Sequence, residues 1–261
     1  MLSSAPSNSP PSAKPDFDLS CSIHDVVLDP HRDGQFLYRR IEEALLAEGT
    51  VIGGRTLDVA CGVAKLTNAI GARGGEAWGL EPSLEMVGLS RWVHPGGRAL
   101  LVRGVAETLP FRDGSFARIV CSGSLDHFVA PRDFMREAAR VLRPDGRLAI
   151  AIANYESLSC RLGRLLHARG PLPDQPYWEP PADHNHKGEL AFVRGLGAGA
   201  LRLERCYGVS LLWQLRRGER SWGRWLDARP RALADRLLGA LDRLAYRAPS
   251  LADMIVSVWK R

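Results

Sequence analysis

The residues best suited to chemistry fall in two groups. The first is a set of small side chains, Ala60, Gly62 and Ala64, between a short apolar segment carrying Asp58 and an amphipathic stretch that includes Lys65. A strand–turn–helix junction of this kind lets a ligand touch the backbone, because a branched side chain would block its approach. In doubly wound sheets, ligands bind at this end of the strands. A dinucleotide fingerprint, G-x-G-x-x-G, would need a third small residue where Lys65 stands. A long side chain there would hold the helix off the strand, so a nicotinamide dinucleotide is disfavoured. The second group is polar: Asp126 and His127 follow a later apolar run, and His184 and His186 lie in Ala182-Asp183-His184-Asn185-His186-Lys187. An unperturbed imidazole titrates near ~6.5 and suits proton abstraction at neutral pH. The competing reading is a turn-capping histidine for His127 and a solvated loop for the other two. His184 and His186 lack partners at zinc-ligand spacing nearby, so the sequence by itself predicts no metal site.

The surrounding pattern says what must position these groups. Short apolar runs at 56–60, 76–80, 99–102, 117–121 and 148–153 alternate with helical spacing at 64–72, 83–92 and 132–142. Strands apolar on both faces and separated by helices predict a parallel sheet covered on both sides. A helix over 35–48 precedes them, stopped by Gly49, and Arg143-Pro144-Asp145-Gly146 reads as a tight return into the fifth strand. Beyond Asn154 the pattern loosens into a Pro-rich excursion over 169–186. A strand at 202–209, a helix opened by Pro230 with Leu233, Leu237, Leu241 and Leu244 on one face, and a last strand at 253–259 complete the chain. The predicted fold is therefore α/β: a doubly wound, mostly parallel, seven-stranded Rossmann-like sheet whose last strand is antiparallel. Residues 1–16, rich in Ser and Pro, read as a disordered tail, and 17–261 as one domain. Within it, 51–154 is the cofactor-binding core, 155–200 a cover on the acceptor side, and 201–261 the last strands and helices.

Four segments carry a resemblance. Asp58-x-Ala60-x-Gly62-x-Ala64 is similar to the first motif, acid-x-G-x-G-x-G, of the class I S-adenosylmethionine-dependent methyltransferases. The segment from Gly79 to Met86, that from Ala106 to Phe116 and that from Arg140 to Leu148 resemble the later motifs of the same family, close to its type-11 subgroup, in order and at family spacing. The resemblance runs from about Thr56 to Ala153. It implies S-adenosyl-L-methionine as cofactor, with Asp58, Ala60 and Gly62 in the first turn. Glu81 would accept both ribose hydroxyls, and Pro82 and Met86 would flank the adenine. Ala106 and Glu107 would present backbone to the adenine edge, and Ser122 would border the methionine half. The chain departs from the family where Ala60 and Ala64 replace Gly, where Val105 replaces an Asp that would accept from the adenine amine, and where Ala117 replaces a second Asp. Those losses keep open an alternative, a catalytically degenerate subunit or binding module of the same fold.

The resemblance implies an enzyme that aligns a nucleophile behind an activated methyl group and excludes water. It carries over no universal catalytic residue, which leaves His127, His184 and His186 as the acceptor-side candidates. The acceptor is expected to be a small molecule, of lipid or sugar type. The Arg-rich stretch from Leu211 to Tyr246, interleaved with Trp213, Trp222 and Trp225, adds an anionic membrane surface or lipid-linked acceptor as a further reading. With 261 residues, 45% hydrophobic and 25% charged, the chain can bury a large core. No apolar run approaches the ~20 residues of a membrane span, and no secretory leader is read at the start, so a cytoplasmic address is expected. Five scattered cysteines without a C-x-x-C pair argue against a disulfide framework. A net charge of +6 without a recognised binding motif makes nucleic acid an unlikely partner.

Overall fold

A computed structural model of the chain describes residues 35–168, 178–197, 201–212 and 231–261. The strands are β1 (Arg55–Val59), β2 (Glu76–Glu81), β3 (Leu100–Arg103), β4 (Phe116–Ser122), β5 (Leu142–Ala153), β6 (Arg202–Val209) and β7 (Met254–Lys260). They form one seven-stranded sheet in the order β3-β2-β1-β4-β5-β7-β6. Strands β1 to β5 pair in parallel, and β7 runs antiparallel to both β5 and β6. The helices are α1 (Gln35–Gly49), α2 (Lys65–Ala72), α3 (Leu84–Val93), α4 (Pro131–Val141), α5 (Leu158–His167), α6 (Leu190–Gly195) and α7 (Arg231–Arg247). The predicted fold class holds.

The period-two alternation of the strands explains the two-sided cover. Leu57, Ile119, Leu148, Ile150 and Ile255 enter a core with Phe134, Met135 and Ala138 of α4 and Val193 of α6. Their neighbours Val120, Ala149, Ala151, Val256 and Val258 enter a second core with Leu37, Ile41 and Leu45 of α1 and Ile70 of α2. Successive side chains of a strand point to opposite faces, so one strand feeds both cores. Helices α5 and α6 were not read in the sequence; Ser157 caps α5 by accepting from the Cys160 amide.

Two local readings change. The segment 143–146 is not a turn ahead of the fifth strand but a bulge within β5. Phe116 pairs with Leu142 and Arg118 with Arg147, so four residues loop out between matched positions. Of the four leucines placed on one face of α7, Leu237, Leu241 and Leu244 do not share one burial, and the Leu233 side chain lies outside the described residues. Leu241 is half-buried and Ala245 fully buried, whereas Leu237 and Leu244 are exposed. The cause is a close approach at β6, where a Cβ on Gly208 would lie 2.4 Å from the Ala245 carbonyl oxygen. That contact turns Ala245, not the flanking leucines, onto the sheet.

The loop that leads into β4 is held from one place. Arg140 donates to the carbonyl oxygens of Phe111 and Leu109, at 2.8 and 2.9 Å, and pairs with Asp113 at 2.7 Å and Glu137 at 2.7 Å. Glu137 in turn accepts from the Leu109 amide at 2.9 Å. Replacing Arg140 with methionine keeps the apolar stem but leaves two carbonyls and a half-buried carboxylate short of donors. The expected loss is about 2–3 kcal/mol in urea denaturation. A change below about 0.5 kcal/mol would show that the loop is held by other contacts.

Candidate functional site

The turn between β1 and α2 is a chain of left-handed residues. Ala60, Gly62 and Ala64 have φ of 55°, 54° and 58°. Only glycine adopts this region without strain, and an L-residue there costs roughly 1–2 kcal/mol. The turn therefore keeps a glycine geometry at two positions that have lost the glycine. A Cβ placed on Gly62 would meet nothing within 4 Å, so the space over the turn is open.

Two carboxylates frame that turn differently. Asp58 is buried beneath it and accepts from the Thr67 hydroxyl at 2.7 Å, tying β1 to α2. Burial pushes its pKa up to about 7, assisted by the charge of Glu81 and opposed by hydrogen bonds from the Thr67 hydroxyl and amide. Glu81 ends β2 alongside. Its Oε2 accepts from the Gly62 amide at 2.8 Å and its Oε1 from the Ser83 amide at 3.1 Å. Two backbone amides from two elements thus fix one carboxylate at the mouth of the turn.

The other residues expected around a cofactor lie at the same end of the sheet. Glu81 is paired in register with Arg103, so the segments leaving β2 and β3 are neighbours. Met86, half-buried, sits in the first turn of α3, whose N-terminus is capped by Ser83 accepting from the Met86 amide. The Pro82 carbonyl accepts from Arg103 at 3.0 Å. Val105, past β3, is 38% exposed, an apolar side chain at an open strand end. Ala106 is buried in the core. The Glu107 side chain is committed elsewhere: its carboxylate accepts from the amides of Val129 and Ala130, at 3.0 and 3.3 Å, ahead of α4. Only the backbone of Glu107 remains for a ligand edge. Ser122 ends β4, and Gly123 comes next at φ 64° with open space where a Cβ would be.

On the far side of that strand end, the structure joins two segments distant in sequence. The backbone oxygen of Asp126 accepts from the amides of Asn185 and His186, at 2.8 and 3.1 Å, and the Asn185 side chain donates to the His127 carbonyl at 2.7 Å. These bonds clip the histidine loop onto the 3-10 turn Leu125–His127. The His184 Nδ1 lies 2.9 Å from Asp126 Oδ2, and the rings of His127 and His184 meet edge to face with centroids 4.3 Å apart. The Tyr155 hydroxyl is 3.4 Å from the same His184 nitrogen. Hydrogen bonding to Asp126 and its charge raise the His184 pKa against the effect of burial, the largest single influence. His184 therefore pairs with His127 and Asp126, not with His186. His186 stacks on Phe192, with centroids 5.3 Å apart, and lines a separate cavity of about 490 Å³ with Ala130, Pro131, Arg132, Gly195 and Leu196.

Asp126 gave only a weak signal in sequence, since nothing local marks it as the partner of a histidine 58 residues on. Asn154 is structural: its amide donates to the Ala252 carbonyl at 2.8 Å. Trp213, Trp222 and Trp225 lie outside the described residues, as do residues 1–16. Among the described residues, no helix is long and apolar enough to cross a membrane.

Comparison with known proteins meets the same region. The family model described as a methyltransferase domain matches residues 57–150. An uncharacterised methyltransferase of Mycobacterium tuberculosis (strain ATCC 25618 / H37Rv) is 38% identical over 96 residues, covering 37% of this chain and 38% of the relative. A protein named demethylmenaquinone methyltransferase from Renibacterium salmoninarum is 32% identical over 136 residues, covering 52% of this chain and 56% of the relative. The chain thus spans about half the length of the curated relatives it matches. Among solved structures, a protein of Pyrococcus horikoshii OT3 superposes with a TM-score of 0.57 at 18% identity, covering 87% of this chain and 90% of that one. A SAM-dependent methyltransferase of Aquifex aeolicus gives 0.55 at 14% identity, covering 92% and 96%. At such identities these likenesses speak for the fold.

Proposed function

Residues 57–150 belong to the class I methyltransferase-domain family, and from that premise we propose that the protein transfers a methyl group from S-adenosyl-L-methionine to a small-molecule acceptor. The observation that carries the reading is the junction of Glu81 with the Gly62 amide beneath open space. It sets a carboxylate at the height where a ribose would lie over the turn, and leaves the turn bare for a methionyl group. Ribose hydroxyls would share or replace the two amide donors on Glu81. The left-handed geometry kept at Ala60 and Ala64 argues against the degenerate-subunit alternative, since a turn relieved of ligand binding has no reason to hold alanine in a strained region.

When bound, the cofactor supplies a methyl group already activated on a sulfonium. The chain's own residues then have positioning work to do. Pro82 and Met86 flank the adenine, the backbone of Ala106 and Glu107 meets its edge, and Ser122 borders the methionine half beside Gly123. Asp58 holds the turn through Thr67 from below. Residues 51–154 form the cofactor core, and 155–200 cover the acceptor side. There His127 and His184 face the acceptor, while His186 belongs to the neighbouring cavity. The loop clipped to Asp126 holds His184 beside His127.

Relatives named demethylmenaquinone methyltransferase and ubiquinone biosynthesis O-methyltransferase support a small-molecule acceptor. The Arg- and Trp-rich stretch from Leu211 to Tyr246 supports a lipid-linked one or an anionic membrane surface. Co-sedimentation with anionic and neutral vesicles separates these: equal, negligible binding to both leaves the soluble acceptor.

Calorimetry with S-adenosylmethionine against a nicotinamide dinucleotide tests the cofactor. Binding of the first alone is expected, and Glu81→Ala should weaken it at least about tenfold, from loss of charge-assisted hydrogen bonds worth roughly 1.5–3 kcal/mol. Undiminished affinity in that variant would remove Glu81 from the site.

A further inference from the structure

We propose that Asp126, His127 and His184 form a binding site for a first-row divalent transition ion, beside the strand end where the acceptor is expected. The three groups each offer one ligand atom, and those atoms all lie within 4.8 Å of one another. Two imidazoles and one carboxylate make a borderline donor set, suited to zinc, cobalt or iron and poorly suited to magnesium or calcium.

The Asp126 carboxylate has one oxygen paired with His184 and one left over. It is 2% exposed, and among the described residues no Lys or Arg pairs with it. One oxygen, Oδ2, meets His184; the other, Oδ1, is buried with no hydrogen-bond partner among the described residues. A buried carboxylate oxygen without a donor or metal is costly. A coordinated ion would neutralise the group and could engage that oxygen.

The geometry is close to that of a filled site. Metal bonds of about 2.1 Å at a tetrahedral angle put two donors about 3.4 Å apart, and Asp126 Oδ2 and His184 Nδ1 stand 2.9 Å apart, so a small opening of the pair admits an ion. An ion would take the place of the proton between them. His127 Nδ1 sits 3.3 Å from the Asp183 carbonyl oxygen. Donation of its N–H to that oxygen would leave Nε2 as a ligand, the outer support common to metal-bound histidines. The His127 side chain is 40% exposed, and the Asp183 carboxylate also lies 3.7 Å from its Nδ1. Asn185 and the amides bound by Asp126 hold both segments in place without metal.

The site's role in catalysis rests on the methyl-transfer reading. With three protein ligands, open positions remain for an oxygen of the acceptor, which would favour acceptors carrying a hydroxyl or enol. Metal binding itself is independent of that reading and is tested without cofactor.

Metal-stripped full-length protein is titrated with Zn²⁺ by calorimetry and with Co²⁺ by visible absorption. One ion per chain with micromolar or tighter Zn²⁺ affinity is expected, with Mg²⁺ at least about a hundredfold weaker. His127→Ala and His184→Ala should each weaken Zn²⁺ at least about tenfold and change the Co²⁺ spectrum. His127→Ala removes a half-exposed ring, so its thermal melt should show a folded protein even where Asp126→Asn does not fold. Absence of Zn²⁺ binding in the calorimetric titration, with no Co²⁺ spectrum, would overturn the proposal. So would a bound ion that both histidine variants retain.

Discussion

Gly62→Val is expected to lower affinity for S-adenosylmethionine more than about a hundredfold, the larger of the two expected losses at the turn. Two effects are expected. The first is occupancy: no atom lies within 4 Å of a Cβ at this position, so an isopropyl group would stand in the space assigned to the methionyl moiety. The second is conformational: at φ 54° a β-branched side chain is a severe misfit, costing more than the roughly 1–2 kcal/mol of an ordinary L-residue. A hundredfold change corresponds to ~2.7 kcal/mol; the blocked space bears on binding, while the φ strain, present with or without ligand, bears on stability. Gly62→Ala separates the two, because Ala60 and Ala64 already show that a methyl group at such φ is tolerated. It should remain folded and bind measurably, with an affinity between wild type and the valine variant. Calorimetry on both variants, with thermal melts to confirm folding, reads the outcome. Normal binding by Gly62→Val would place the ligand elsewhere and make the motif match accidental.

The second large effect is on stability. Asp58 releases its proton near its ordinary value of 3.8 when unfolded but near 7 when folded, because burial disfavours the charge. The native state therefore holds a proton that the unfolded state has lost between those two values. By linkage, stability falls as pH rises through this window and is level above it. The drop attributable to Asp58 over the whole window is of the order of 4 kcal/mol, at about 1.4 kcal/mol per unit. Asp58→Asn keeps an oxygen to accept from Thr67 and removes the ionisation. Urea denaturation at pH 5 and pH 8 is expected to show a smaller fall for the variant, and a variant more stable than wild type at pH 8. Glu137 and Glu156, held below the usual carboxylate range by Arg140 and Lys187, and His184, raised against burial by Asp126, are common to both proteins, so their contributions cancel in the comparison. Parallel pH dependences in the two proteins would show that Asp58 is ionised in the fold.

The cofactor side was legible in the sequence because its chemistry is local. Asp58, Gly62 and Thr67 belong to one strand, one turn and one helix, where chain connectivity alone brings them within reach of a common ligand. Glu81 ends the next strand, and a parallel crossover places consecutive strands side by side often enough to be expected. The alternation of apolar runs likewise determined the sheet, since strands buried on both faces have few other ways to satisfy their backbone. Side-chain direction was not legible. The sequence assigned Glu107 through its backbone but could not show its carboxylate spent on the amides of Val129 and Ala130.

The arrangement of the histidines was decided by the tertiary structure. In sequence, His184 and His186 read as a pair; in the fold, hydrogen bonds from Asn185 and His186 to Asp126 bend the loop so that one histidine faces Asp126 and the other stacks on Phe192. Asp126 and His184 have no periodicity or spacing in common, and no propensity scale relates them. Their meeting depends on where the chain returns after β5, which is set by packing: Tyr155 donates its amide to the Gly188 carbonyl at 2.9 Å, and a Cβ on Gly188 would lie 2.0 Å from the Ala153 carbonyl oxygen. Local physics wrote the turn into the sequence; long-range close packing, which no short window of sequence contains, chose the company that the histidines keep.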